Sequence, residues 1–441
     1  MNIKSLFILL INGLCFSGFS FAQGKIDTLT SNASIEQCVA YAQKHNPLIS
    51  QSAIDEQITT QTIRSKLADW YPQVNFNYNL QHNFQVQTSI IGGNAVALGV
   101  HNTSAGQFTL SQSIFNRDVL LALKSRGDVQ LQSQQATANR KIDLTANVSK
   151  AFYDVLATTQ QLKVSEQNIV RLERSLHDTY SQFKAGVADK VDYKRTTITL
   201  NNIRASKKIN EELLLAKKEY LKYLMGYPDS VKLDIAYDSL KIETEAVFDT
   251  LQSPDYKLRI EYRLLETQKK LLEANFRYER QSYLPSIGVN GAYNLNFLNN
   301  DFAKLYNRNY PGSFAALTLT VPIYQGGKRK AKINIANLQV KRVDQDIRNL
   351  QNLVNTQYAN ALAGYKSNYA NYLALKENVE LAKEIYNVIQ LQYKSGIKTY
   401  LEVITSETDL RTSEINYFNA LYQLLASKID AQKALGQVPG N

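Results

Sequence analysis

Cysteine is almost absent: among 441 residues only Cys15 and Cys38 carry a thiol. Cys15 falls inside an amino-terminal segment with the features of a cleaved export signal, so the mature chain keeps Cys38 alone and no disulfide can form within it. Long apolar runs are missing too. Beyond residue 22 nothing reaches the ~18 uninterrupted apolar residues of a membrane helix, so any crossing of a bilayer has to use strands. Histidine is scarce, and His45, His82, His101 and His177 are too dispersed for metal-ligand spacing. Neither a serine or cysteine nucleophile signature nor a dinucleotide fingerprint occurs, and helix-surface positions account for the carboxylates. Catalysis, a cofactor and a metal therefore have no support.

The export signal is read over residues 1–22. Lys4 lies in a short basic region, the apolar run Leu6 to Phe16 is interrupted by Asn12 and Gly13, and Ser20-Phe21-Ala22 forms a small-x-small cleavage site. Leu14 stands where a lipidation signal at Cys15 needs a small residue, so lipidation is not expected. The formal charge is +11, and loss of Lys4 leaves +10. These cations are interleaved with Asp, Glu, Asn and Gln along helical segments, which marks a solvated helix face rather than a nucleic-acid contact.

What is present is a strand pattern that occurs twice. Between Leu284 and Lys330, Ile287, Val289, Tyr293, Leu295 and Phe297 alternate with Asn290, Asn294 and Asn296. Leu317, Leu319, Val321 and Ile323 then alternate with Ala316, Thr318 and Thr320, up to a corner at Pro322, Gly326 and Gly327. Earlier, Val74, Phe76, Tyr78 and Leu80 alternate with Asn75, Asn77, Asn79 and Gln81, and a Gly-rich interval leads to a run in which Phe108, Leu110 and Ile114 share a face. Apolar residues on one face and amides or hydroxyls on the other suit a strand with hydrocarbon outside and water inside.

Helices flank both hairpins. Ser34-Ile35-Glu36-Gln37 opens one as a capping box, Asn46-Pro47 breaks it, and a second continues to about Trp70. From Asn116 to Lys184 there is no proline and only Gly127 among glycines, so the spacing predicts one helix about 100 Å long that packs lengthwise against others. Gly186 ends it, a return helix runs to Met225, and the same order follows again around Gly396. Asn46-Pro47, Tyr71-Pro72, Ile114-Phe115 and Gly186 recur as Pro254-Asp255, Leu284-Pro285, Ile323-Tyr324 and Gly396, at offsets of 208, 213, 209 and 210 residues. The expected division is a signal (1–22), a first repeat (23–226, strands near 72–84 and 105–115), a connector (227–253) and a second repeat (254–441, strands near 285–297 and 313–324).

Four strands are too few to close a barrel, and an open edge in lipid leaves unpaired backbone groups costing several kcal/mol each. Closure must come from further copies of the chain, and the polar inner faces favour three or more over a side-chain-filled pair. Trp70, Tyr71, Tyr283 and Tyr324, at strand ends, suit an interfacial aromatic girdle.

Taken in order, Asn46-Pro47, the doubled helix-strand-strand-helix plan, the stretch Val321 to Arg329 and the turns Phe183 to Val187 and Tyr393 to Ile397 resemble the TolC-type outer membrane efflux proteins across the mature chain. The resemblance implies a homotrimer: a membrane β-barrel of four strands per chain joined to an α-helical coiled-coil barrel that reaches across the periplasm. It also implies outer membrane lipid around the barrel, a periplasmic adaptor (membrane fusion) protein and an inner-membrane efflux pump or ABC transporter as partners. By position, Asp192 matches the carboxylate of the closed periplasmic entrance, Tyr393 and Lys398 its tyrosine and basic partners, and Glu402 one residue of an acidic ring. The next ring position falls on neutral Thr405. The rival reading is a structural or adhesive outer membrane protein whose coiled coil is a stalk without a transport role.

Overall fold

The computed structural model describes residues 32–187, 189–236 and 239–438, so the expected export signal lies outside the described residues. Helix α1 (Ile35–His45) starts on the anticipated capping box: Ser34 Oγ accepts the Gln37 amide at 3.3 Å and the Gln37 side chain accepts the Ser34 amide at 2.9 Å. Helix α2 (Pro47–Ala68) follows after one residue. Asn46 Oδ1 accepts the Leu48 amide at 2.8 Å, while its Nδ2 donates to the Leu224 carbonyl at 2.7 Å. The Asn-Pro break thus caps one helix and clamps it to the end of another far along the chain.

Four strands form one antiparallel sheet in the order β1 (Gln73–His82), β4 (Asn102–Phe115), β5 (Ser286–Asn299), β6 (Gly312–Thr320). Its register aligns the alternation from strand to strand: Phe76 opposes Phe108, which opposes Tyr293, and Val289 opposes Leu317. Val74, Phe76, Tyr78, Leu110, Leu317 and Leu319 share one face and are exposed, while Asn75, Asn77, Asn290 and Thr318 take the other. Among the described residues strands β1 and β6 each have a single neighbour, so both edges of the sheet are free there.

Three details differ from the pattern reading. The Gly-rich interval holds its own hairpin, β2 (Thr88–Ile91) and β3 (Asn94–Ala97), turned by Gly92 and Gly93 with φ of 60° and 83°. A bulge between Ser113 and Phe115 sets Phe115, rather than Ile114, opposite Ile287. Strand β6 stops at Thr320 instead of running to 324, because Pro322 has no amide to donate and its carbonyl accepts Arg329 Nη2 at 2.7 Å.

The helices α3 (Arg117–Lys184, 68 residues) and α4 (Lys190–Met225, 36 residues) form one antiparallel pair; α7 (Lys328–Lys394, 67 residues) and α8 (Tyr400–Leu435, 36 residues) form another. At 1.5 Å per residue the long members extend about 100 Å. Helix α2 lies along α3, and α6 (Ile260–Arg280) lies along both α3 and α7. The main core sits part-way down this bundle, where Val148, Val155, Leu221, Met225 and Leu424 are fully buried and α1 closes over them. The segment anticipated as a plain connector also covers this core. It contributes Tyr227, Leu233, the short helix α5 (Ser239–Glu245) and Ala246, whose carbonyl accepts the Tyr365 hydroxyl at 2.9 Å.

Gly226 ends α4 with φ of 65°, and a Cβ there would lie 2.5 Å from the His45 carbonyl oxygen. Gly396 has φ of 74° with nothing within 4 Å. Gly396→Ala is expected to cost only the left-handed backbone term of about 1–2 kcal/mol, and Gly226→Ala more, since two backbone segments must also part. Thermal melting of the purified variants checks this; equal losses would contradict the close approach at His45.

Candidate functional site

Both helix pairs reverse through the same device. Gly186 and Gly396 adopt φ of 73° and 74°, and in each turn the following residue donates back across the helix end, Val187 to the Gln182 carbonyl and Ile397 to the Gln392 carbonyl, both at 2.9 Å. Asp189 then caps α4 by accepting the Val191 amide at 2.9 Å. Between the two turns lies an open cleft of about 1140 Å³, lined by residues of all four long helices.

The structure distributes the anticipated entrance residues unevenly. Lys398 and Glu402 are joined: Nζ lies 2.6 Å from Glu402 Oε1, while Oε2 accepts the Thr399 amide at 2.9 Å and its hydroxyl at 3.0 Å. The lysine first, then Thr399, holds the Glu402 carboxyl down to about 2 from its usual 4.5. Tyr393 does not reach Asp192; its hydroxyl donates to Gln182 Oε1 at 3.0 Å. Burial raises the Tyr393 phenol, with Asp192 and Asp178 adding to the rise. Asp192, half-buried on the first turn of α4, makes no side-chain hydrogen bond or ion pair among the described residues. Thr405 donates to the Leu401 carbonyl at 2.9 Å.

Two groups that pattern reading passed over lie deeper in the same region. Tyr400, 5% exposed, has its hydroxyl 2.6 Å from Ser175 Oγ on α3 and 2.7 Å from Thr196 Oγ1 on α4, so one phenol on α8 ties both helices of the other pair. Glu407, 4% exposed, meets Arg171 Nε at 3.3 Å. Burial pushes the Glu407 carboxyl up against the pull of Arg171 and Arg411. A signal was available: Tyr400, Val403, Glu407 and Leu410 recur at threes and fours on one buried stripe of α8, and a carboxylate on such a stripe needs a partner.

At the other end of the helices, Trp70, Tyr71, Tyr283 and Tyr324 are all exposed at the end of the sheet from which the long helices depart. Gly326 and Gly327 turn the chain from β6 into α7 with φ of 54° and 81°.

Two outcomes follow. Tyr400→Phe leaves Ser175 and Thr196 without their shared partner and is expected to lower stability by about 1–3 kcal/mol, read by thermal melting. Glu402 has its carboxyl lowered on folding, so its contribution is complete above 4.5 and disappears as pH falls from 4.5 toward 2. Glu402→Gln is therefore expected to flatten the acid limb of the melting-temperature profile in that window; an unchanged limb would contradict the assignment.

A family model described as outer membrane efflux protein matches residues 39–226 and 265–437. Outer membrane protein TolC of Escherichia coli (strain K12) is 21% identical over 450 residues, covering 98% of this chain and 86% of that protein. Outer membrane protein OprJ of Pseudomonas aeruginosa is 21% identical over 413 residues, with 92% and 84% covered. Among solved structures, that of CusC agrees with a TM-score of 0.72 at 17% identity, covering 92% of this chain and 95% of that one, a likeness of fold. These relatives are channel proteins rather than enzymes. With both hairpins and all four long helices inside the family match, this chain belongs to the outer membrane efflux protein family and acts as an outer membrane efflux channel.

Proposed function

We propose that the chain works as a homotrimer in which three four-stranded sheets close a 12-stranded barrel across the outer membrane and 12 long helices form a tunnel through the periplasm. The observation that carries this reading is the sheet itself: four strands, one apolar exposed face, one amide and hydroxyl face, and two unpaired edges. Such edges are tolerable in hydrocarbon only when another copy pairs with them. The aromatic residues Trp70, Tyr71, Tyr283 and Tyr324 then belong to the girdle at the periplasmic interface. The two halves, 23–226 and 254–441, are copies of one module joined at 227–253.

Small molecules or polypeptides enter from the periplasm at the Gly186 and Gly396 turns, where a periplasmic adaptor and an inner-membrane pump or ABC transporter engage the tips. Asp192, Tyr393, Lys398 and Glu402 constrain that entrance while it is closed. Among the described residues Asp192 has no side-chain hydrogen bond or ion pair, which leaves it available to a neighbouring protomer. Glu402 is neutralised by Lys398 at 2.6 Å and Thr405 carries no charge, so the entrance ring has little net negative field.

Single-channel conductance in a planar bilayer, with the mass of the detergent-solubilised protein, tests this. The expected result is a trimer of small conductance that rises several-fold when Asp192 and Lys398 are both changed to alanine. A stable oligomer that never conducts, with or without those changes, would favour the stalk-anchored adhesive reading instead. Lys398→Gln alone frees the Glu402 carboxylate and is expected to shift the reversal potential in a salt gradient toward cation selectivity.

A further inference from the structure

The corner between sheet and helices has an electrostatic arrangement that the channel reading does not use. The first turn of α7 carries Lys328, Arg329 and Lys330, with Lys332 just beyond, and contains no acid. Its N-cap is Gly327, which has no side chain to accept the free amides. A helix N-terminus already bears partial positive charge and normally attracts Asp, Glu, Ser or Thr. Helix α3, which begins beside it, follows that rule: Asn116 accepts the Asp118 amide at 2.8 Å and Asp118 occupies the first turn.

Both helix starts open onto one pocket of about 350 Å³, bounded also by the end of α6 and by the adjoining ends of β5 and β6. Arg329 lines it and is 9% exposed. Its Nη2 is held by the Pro322 carbonyl at 2.7 Å and its guanidinium lies 4.1 Å above the Tyr283 ring, yet its buried Nε–H has no acceptor among the described residues. Ser282 Oγ and Glu279 Oε2, on the same wall, are also buried without a partner among the described residues. The remaining charges are accounted for or open to solvent. Arg117 donates to the Tyr278 carbonyl at 3.2 Å, Asp118 accepts the Tyr278 hydroxyl, and Lys328 and Lys332 are exposed. Four cations and two carboxylates line the pocket, so it is net positive. A ligand that satisfies it must bring acceptor oxygens for Arg329 Nε, the lysines and the free α7 amides, together with a donor for Glu279.

We propose that this pocket binds the phosphodiester of a phospholipid headgroup from the periplasm-facing leaflet of the outer membrane, with the headgroup's terminal hydroxyl or ammonium directed at Glu279. The proposal rests on the outer-membrane placement above, since the pocket lies at the same end of the sheet as Trp70, Tyr71, Tyr283 and Tyr324. Arg329, locked by Pro322 and Tyr283, supplies the fixed donor; Lys328 and Lys332 supply mobile charge.

Native mass spectrometry of the detergent-purified full chain tests this with phosphatidylglycerol, phosphatidylethanolamine and inorganic phosphate as probes. The wild type is expected to retain bound phospholipid at least tenfold more strongly than Lys328→Gln/Lys332→Gln, whose altered side chains are exposed and do not threaten folding. Glu279→Gln is expected to weaken both lipids by a smaller factor. Equal lipid retention in all variants overturns the site. Displacement of the lipid by an equal concentration of inorganic phosphate reassigns it to a free anion, and loss of the oligomer in place of lipid reassigns it to a contact between protomers. Failure of the channel reading itself would appear separately, as an absence of trimer mass and conductance in the wild type.

Discussion

The constraint on which the rest depends is the pair of free edges on the four-stranded sheet. Strands β1 and β6 each present a row of backbone donors and acceptors with no partner among the described residues, beside an exposed face carrying Val74, Phe76, Tyr78, Leu317 and Leu319. In water this would be an aggregation surface, because both edge pairing and apolar contact would be satisfied by any similar sheet. In a bilayer the apolar face is already satisfied, and the edges admit only partners that continue the register. In the proposed trimer, the same geometry that is a liability for a lone chain is what joins it to identical copies.

Long helices bring a second constraint. A helix about 100 Å long cannot be stabilised by one compact core, and the buried apolar residues are indeed concentrated part-way down the bundle. There α1, α5 and the segment around Tyr227 and Leu233 pack on α3, α4, α7 and α8. Asn46 fixes the geometry at this level, since its amide joins the start of α2 to the end of α4 and Gly226 leaves room for the His45 carbonyl. The sheet end and the tip end are thus held apart by a rigid middle.

How much of this was legible in the sequence follows from which signals are local. Period-two alternation located all four main strands, and the absence of proline with a single glycine between Asn116 and Lys184 located α3, because each depends on neighbours within a few residues. The β2–β3 hairpin was hidden, since Thr88–Ile91 and Asn94–Ala97 are too short to show a period. The true end of β6 was hidden by Val321 and Ile323, which continue the alternation after Pro322 has removed the donor that pairing needs. At the entrance, Lys398 and Glu402 meet because Glu402, the third residue of α8, reaches back over its Thr399 cap to the residue before it, an inference available from the local capping-box spacing. Tyr393 with Gln182 and Tyr400 with Ser175 and Thr196 required knowing which helix faces which, and no local pattern carries that.

The tip of the bundle combines two kinds of contact in a way that bears on opening. Within each helix pair the buried contacts are apolar, Leu172, Leu200 and Ile203 joining α3 to α4 and Ala382, Tyr386, Val403 and Leu410 joining α7 to α8, with ion pairs such as Arg204 to Glu173 only at the exposed margin. Between the pairs they are polar: Tyr400 to Ser175 and Thr196, Tyr393 to Gln182, and Arg171 to Glu407. Apolar packing resists separation over its whole area and has no alternative partner in water, whereas a hydrogen bond exposed by sliding is replaced by one to solvent at a net cost of only about 1 kcal/mol. In the proposed opening of the entrance, this division lets one pair move against the other while each stays intact. The Arg171 and Glu407 contact is the exception, because Glu407 is buried and separation strands its carboxylate while Arg171 keeps 30% of its side chain exposed, and in the proposed opening it puts the resistance just above the turns rather than at them.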